Sequence, residues 1–401
     1  MQKLKTLFRP DSSYKSFFLS LLMMGLGYGL YKGVIDNYLA EIVAMTEFDR
    51  GVLEFFRELP GLALVFLLAA MYTLSAETIY KIGALVMLGG MSLLFAVPPS
   101  RVWVTLAICV YSLGEHIQLG MKNTISLEYA LPGRGGAALG AQSAVNQIGT
   151  LAGYIVVIFA FMRLSGAGAF KGFILAAAAV FAVGAASSLR VKGSSRTDSG
   201  ARRFYFHKKY RKYYFLEVFY GARKQVFMTF GPYVLILFYG ASTTAISLLF
   251  AITAVCGFFC APVVGRIIDR VGYKKVMVAD TLILVIVCFF YGFAHHIFPM
   301  RVAFIVCCVN YVLDSIISLA SMASNVYVQD ISDSPEEVRA TISTGISVNH
   351  LITILIALFG GWIWRALGIE TLFTLSAVLG LFNSAYAASI KTKPRGTQLS
   401  A

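Results

Sequence analysis

Apolar runs of about twenty residues recur twelve times along this chain, with short polar breaks between them. Wound as a helix, a run of that length crosses the roughly 30 Å hydrocarbon core of a bilayer and satisfies every backbone N–H and C=O within its own segment. The approximate limits are 14–39, 52–73, 81–98, 102–122, 136–161, 169–189, 213–238, 245–266, 275–294, 301–327, 340–364 and 369–390. These runs predict an all-α integral membrane protein of twelve transmembrane helices in two pseudo-symmetric six-helix bundles. Charged residues make up 13% of the 401 positions, about half the share of an ordinary soluble domain. That excludes a soluble enzyme, a disordered chain and a secreted disulfide scaffold. The six cysteines all lie in apolar runs and read as small packing residues. No small-residue cleavage site follows a short apolar core at the start, so span 1 is read as a retained anchor.

Charge placement sets the expected orientation. Of 34 Lys and Arg, 24 fall on the side of the two ends and 6 on the opposite side; Lys32, Arg57, Arg223 and Lys224 fall inside spans. Basic loops stay cytoplasmic, so both ends are expected in the cytoplasm of a cell (inner or plasma) membrane. The same placement accounts for the net charge of +14 without a nucleic acid. The densest basic stretch, "RVKGSSRTDSGARRFYFHKKYRK" (190–212), divides an N-terminal six-helix half (1–189) from a C-terminal half with its tail (213–401). It is expected to face anionic lipid headgroups.

The two halves repeat. "CVYSLGE" (109–115) matches "CVNYVLD" (308–314), which pairs Glu115 with Asp314. "VNQIGT" (145–150) matches "VNHLIT" (348–353), which pairs Asn146 with Asn349, and "GLYKGV" (29–34) matches "GARKQV" (221–226), which pairs Lys32 with Lys224. Parallel repeats of this kind are a transporter architecture. The loop "GRIIDRVGYKK" (265–275) carries Gly265, Asp269, Arg270, Gly272 and Lys274 at the spacing G-x-x-x-D-R-x-G-[RK]-[RK]. It resembles the loop motif of the major facilitator superfamily, with Asp269 a candidate helix cap. The expected first copy, "MYTLSAETIYKIG" (71–83), lacks the glycine, the Asp-Arg pair and the basic doublet. The resemblance implies a central cavity lined by spans 1, 4, 7 and 10.

An ionisable side chain in hydrocarbon is costly and normally faces a cavity or a partner. Tyr28, Lys32 and Asp36 recur every fourth residue on one face of span 1, and Tyr111 and Glu115 share a face of span 4. Tyr220 and Lys224 share a face of span 7 with Arg223 beside them, and Asn310 and Asp314 lie on a polar stripe of span 10. Tyr28, Lys32, Asp36, Tyr111, Asn146, Tyr220, Arg223, Lys224, Asn310 and Asn349 are the candidate substrate-binding residues. Glu115, Asp314 and His350 are the candidate proton carriers. Glu54, Arg57 and Glu58, at i, i+3 and i+4 in span 2, read as a charge cluster or gate toward the outer face. Four-residue spacing of Cys256 and Cys260 without a histidine offers no metal site, and neither metal nor cofactor is expected.

No phosphate-cradle or hydrolase motif is present in the sequence. The predicted function is that of a monomeric secondary transporter of a small molecule. It would work by alternating access with protons as the coupling ion, on a small organic anion or zwitterion. Drug or amphiphile efflux is the rival within transport. The proline of the superfamily's antiporter signature is missing from "GTLAGYIVV" (149–157), which ranks efflux second. A non-transporting receptor or scaffold is the rival from another class.

Overall fold

The structure is a computed structural model that describes residues 6–10, 12–71, 73–193 and 206–391, without the side chains of 64–70, 335, 336, 339 and 343. Most of the basic linker and the tail beyond 391 lie outside the described residues. The helices are α1 Tyr14–Glu41, α2 Glu47–Ala70, α3 Ala76–Ala96, α4 Arg101–Tyr129, α5 Gly135–Phe161 and α6 Gly166–Leu189, then α7 Arg211–Leu237, α8 Thr243–Val271 and α9 Tyr273–Ile297. Next, α10 Met300–Ile317 runs through a tight 3-10 turn, Ser318–Ser321, into α11 Met322–Ile331, and α12 covers Pro335–Ala388. Extended pairing among the described residues is limited to one isolated bridge between Phe8 and Ala130.

Helix starts follow local chemistry. The Ser75 hydroxyl accepts from the Thr78 N–H, Ser100 from Trp103 and Ser334 from Glu337, so each serine satisfies an amide that the helix itself leaves open. Pro335 follows Ser334 at a first-turn position where its missing N–H costs nothing. Spans 11 and 12 were expected to be separate. In the structure α12 is a 54-residue stretch broken at Gly368, where φ is +88° and not helical, so two helices meet there, close to the expected boundary. A straight helix of that length would reach about 80 Å, more than twice the hydrocarbon thickness.

Among the described residues, nine helices are long and apolar enough to cross a membrane. The two long helices missing from that set are α2 and α7. They carry Glu54, Arg57 and Glu58, and Glu217, Arg223 and Lys224, respectively. The two helices outside the set are therefore those that carry three charged residues close together within their span.

The chain forms two compact units. The first comprises residues 1–200 with 232–254 and 357–362, and the second comprises 201–231, 255–356 and 363–401. In the first, Phe8, Tyr14, Phe17, Phe18, Tyr80 and Tyr129 form an aromatic floor. In the second, Tyr210, Tyr213, Tyr220 and Tyr327 form another. One offset along the chain carries Tyr14 onto Tyr210 and Phe17 onto Tyr213. In the first unit Asn146 donates to the Leu21 carbonyl at 3.2 Å, and Gly25 packs against Asn146. In the second, Asn349 donates to the Glu217 carbonyl at 3.3 Å, and Gly221 packs against Asn349. The same offset carries Leu21 onto Glu217 and Gly25 onto Gly221. It carries Tyr28, not Lys32, onto Lys224. The sequence match of Lys32 with Lys224 is thus one helical turn out of register, because a short lysine-centred similarity outweighed the aromatic and glycine positions.

Candidate functional site

In the first unit an unbroken row of ion pairs joins α1 to α2. Lys32 Nζ is 2.7 Å from Asp36 Oδ2, Arg50 Nη2 is 3.4 Å from Asp36 Oδ1, and Arg50 Nη1 is 2.7 Å from Glu54 Oε2. Arg57 then pairs with both Glu54 and Glu58. Three cations alternate with three anions, so the row is electrically balanced. Its centre is dry: the side chains of Asp36 and Glu54 are each 2% exposed, while those at Lys32 and Arg57 are 21% and 22%. The Lys32 ammonium lies 4.9 Å from the centre of the Phe250 ring, and the Arg50 guanidinium 5.9 Å from that of Tyr233.

Further contacts tie together the segments around the row. Tyr233 donates to the Met45 carbonyl at 2.7 Å, Asn37 to the Ala241 carbonyl at 2.9 Å, and Ser247 to the Gly33 carbonyl at 2.8 Å. Gly51 lies against Ala357 and Gly361, an approach that an added Cβ would obstruct. The Ser112 hydroxyl donates to the Arg57 carbonyl at 2.6 Å, and His116 Nδ1 is 2.8 Å from the Ser112 carbonyl.

Glu115 has a different setting. It is partly buried, within electrostatic reach of Tyr28, Tyr111 and Arg57, and makes no hydrogen bond or ion pair among the described residues. Tyr111 packs against Tyr31 with ring centres 4.8 Å apart and the planes tilted by 48°. The bonded partner of Lys32 is Asp36, four residues on in its own helix.

The second unit holds a triad. Arg223 Nη1 is 2.9 Å from Asp280 Oδ2, and Arg223 Nε is 3.9 Å from Asp314 Oδ1. Arg223 Nη2 also donates to the Ser318 hydroxyl at 3.3 Å. The side chains of Arg223 and Asp280 are each 3% exposed and that of Asp314 is 9%. Two carboxylates share one guanidinium, and the nearer one takes the shorter contact. Asp314 Oδ1 is buried without a hydrogen bond. Tyr220 places its ring 5.9 Å from the guanidinium.

Lys224 is exposed, unlike its neighbour Arg223, because adjacent residues of a helix point about 100° apart. Asn310 is buried and donates to the Val306 carbonyl of its own helix at 2.8 Å. His350 is partly buried on α12, and its carbonyl accepts from Thr353 at 2.9 Å. Asp280 was missed in the sequence, although an aspartate in the apolar run "VMVADTLILV" (276–285) is itself a signal. Arg50 was missed as well, since it reads as a loop residue but lies inside α2 and is 4% exposed.

The loop motif joins α8 to α9 through a single residue. Gly272 has φ +96°, a conformation that side chains disfavour, and its N–H donates to the Ile268 carbonyl at 2.9 Å. Asp269 lies in the last turns of α8, which continues to Val271, and Gly272 occupies the cap position of α9. Asp269 and Arg270 are exposed on the last turns of α8, and Lys274 donates to the Ile390 carbonyl at 2.8 Å. Gly265 has open space where a side chain would begin. Nearby, Lys209 Nζ is 2.6 Å from Asp333 Oδ2, and that hydrogen bond holds the ammonium above its ordinary range.

Known proteins share this fold. Residues 213–400 match the family model of the Major Facilitator Superfamily. The fold is similar over 94% of the chain to that of the nucleoside transporter NupG in its D323A form, at TM-score 0.75 and 17% identity, covering 100% of that chain. The family match covers the C-terminal half of the chain, and the structural likeness extends the same fold over the N-terminal half. A D-xylose-proton symporter matches at TM-score 0.72 and 15% identity, over 94% of this chain and 96% of its own. A bacterial homologue of the human lysosomal transporter Spinster matches at TM-score 0.66 and 14% identity, over 94% and 95%. No curated protein is significantly similar in sequence. With nine described helices long and apolar enough to cross a bilayer, the fold is that of a multi-pass membrane protein.

Proposed function

We propose that this protein is a member of the Major Facilitator Superfamily and a proton-coupled secondary transporter of small organic solutes, working by alternating access across twelve spans. The observation that carries the reading is the triad of Arg223, Asp280 and Asp314. With both acids ionised it bears one uncompensated negative charge in a desolvated place. One proton on Asp314, the more distant acid, balances it. A site whose charge is completed by a single proton can exchange that proton as its exposure changes. Both ends and the basic linker would face the cytoplasm, as the basic-residue bias favours.

For the solute, a small organic anion or zwitterion follows from the intramembrane cations. A second reading, an uncharged polar solute, draws on the pairing of those cations: Lys32 is bound to Asp36, Arg57 to two glutamates and Arg223 to two aspartates. The similar structures named for nucleosides and D-xylose concern solutes of that uncharged class.

The test begins with thermal stabilisation of the purified protein by panels of organic anions, zwitterions, nucleosides and sugars, since a ligand of the native state raises Tm. A stabilising solute then goes into proteoliposomes carrying wild type or Asp314→Asn. The expected result is that a proton gradient drives accumulation in wild type, and that the variant retains solute counterflow but not accumulation. Equal gradient-driven accumulation in the variant would remove Asp314 from the coupling step.

A further inference from the structure

A second group of chemistry-bearing side chains lies where α9 ends and α12 changes direction. His295 Nε2 is 3.2 Å and His296 Nε2 3.0 Å from the same oxygen, Oε1 of Glu370. One ligand atom from each of the three residues lies within 4.8 Å of the others. A tetrahedral zinc ion with bonds of 2.0–2.1 Å separates its ligand atoms by about 3.3 Å, so both nitrogen–oxygen spacings fall near those of a ligand shell. Two imidazoles and one carboxylate suit zinc and neighbouring divalent metals, and they leave a fourth position for water.

The backbone is shaped around this group. Adjacent residues of a helix normally diverge by about 100°. Here the two imidazole centres are 3.9 Å apart in the last turn of α9, where carbonyl ends favour a cation. On α12, Gly368 has φ +88°, and a Cβ there would meet Glu370 Oε2 at 2.6 Å. That glycine lets the carboxylate fold back on its own helix with Oε1 turned to the histidines. Gly292 of α9 faces the same turn: a Cβ on it would lie in ordinary contact, 3.4 Å, with the Cα of Glu370. The His296 side chain is 58% exposed and the Glu370 side chain 32%, which leaves the metal a way in.

We infer that His295, His296 and Glu370 form a binding site for a divalent transition metal, zinc above all, which fastens α9 to α12 within the second unit. The sequence conceals it, because the acid lies some 75 positions from the histidines and the pair shows none of the i, i+4 spacing of a helical metal site. The inference stands apart from the proton-coupling reading and needs no transport assay.

The experiment uses the full-length protein in detergent, stripped with a chelator and titrated with zinc chloride alone against a chromophoric competitor. Cobalt(II) absorption serves as a separate readout of tetrahedral coordination. Wild type should bind one zinc per chain through this site. His296→Gln, at an exposed position, should weaken that binding at least tenfold and abolish the cobalt spectrum. Glu370→Gln keeps a hydrogen-bonding oxygen but loses the anionic ligand, so it should do the same. Failure of wild type to bind zinc, or equal affinity in wild type and His296→Gln, would overturn the site.

Discussion

The two charged clusters inside this protein are built from the same groups but differ in their balance. In the α1–α2 row, three cations meet three carboxylates, and every contact completes the next. In the triad of α7, α9 and α10, one guanidinium serves two acids, and one acid oxygen is left without a hydrogen bond. A balanced row in a desolvated place has nothing to gain from a proton or an ion. It is suited to holding helices together, and it lies among the hydrogen bonds from Tyr233, Asn37 and Ser247 that fasten the same region. An unbalanced triad sits one charge from neutrality and responds to whatever supplies that charge. On the proposed reading, the row fastens and the triad couples.

The largest effect is expected where the comparison is broken most severely. Arg223→Gln would strand two acids, and breaking a buried pair costs about 3–5 kcal/mol. The loss should be partly recovered when Asp280→Asn is added. Thermal unfolding of both variants in detergent checks this; an unchanged Tm for Arg223→Gln would mean that water reaches the triad and screens it. Glu54→Gln removes the central acid of the row. Arg57 retains Glu58, so the expected cost is smaller, about 2 kcal/mol. A cost larger than that of Arg223→Gln would reverse the assignment of the two clusters.

The loop between α8 and α9 supplies a control outside both clusters. Gly272→Ala forces a Cβ into a positive-φ position and should cost about 1–2 kcal/mol. Gly265→Ala, with open space around it, should change stability by less than about 0.5 kcal/mol. Equal losses for the two would show that the motif's glycines serve packing rather than backbone conformation. The smallest stability change is expected for Asp314→Asn, below about 1 kcal/mol, because it removes the surplus charge instead of creating one.

The helices were readable from hydropathy because the bilayer demands about twenty apolar residues whatever else the sequence does. The charged positions were readable for the complementary reason: Lys32, Asp36, Arg57, Arg223 and Asp314 interrupt such runs. Their partners were harder to read. A lysine can reach four residues along its own helix or across to another, and Lys32 takes Asp36, the local choice. Arg50 looked like a loop residue because the start of α2 is polar. Asp280 drew no attention because it stands alone on its helix and acquires meaning only beside Arg223. The repeat was visible in the asparagines of α5 and α12, but its register on α1 and α7 required the aromatic floors and paired glycines. The His295, His296 and Glu370 group depends on the turn at Gly368, which no hydropathy pattern marks.

The central claim is that the triad holds a proton and the row does not. Infrared titration of the purified protein reads protonated carboxyl groups directly and needs no solute. The wild-type-minus-variant difference should contain a titrating carboxylic-acid band for Asp314→Asn and for Asp280→Asn, since either change leaves Arg223 with a single balancing acid. It should contain none for Glu54→Gln. A band that survives unchanged in both aspartate variants, or one that disappears with Glu54→Gln, would contradict the account.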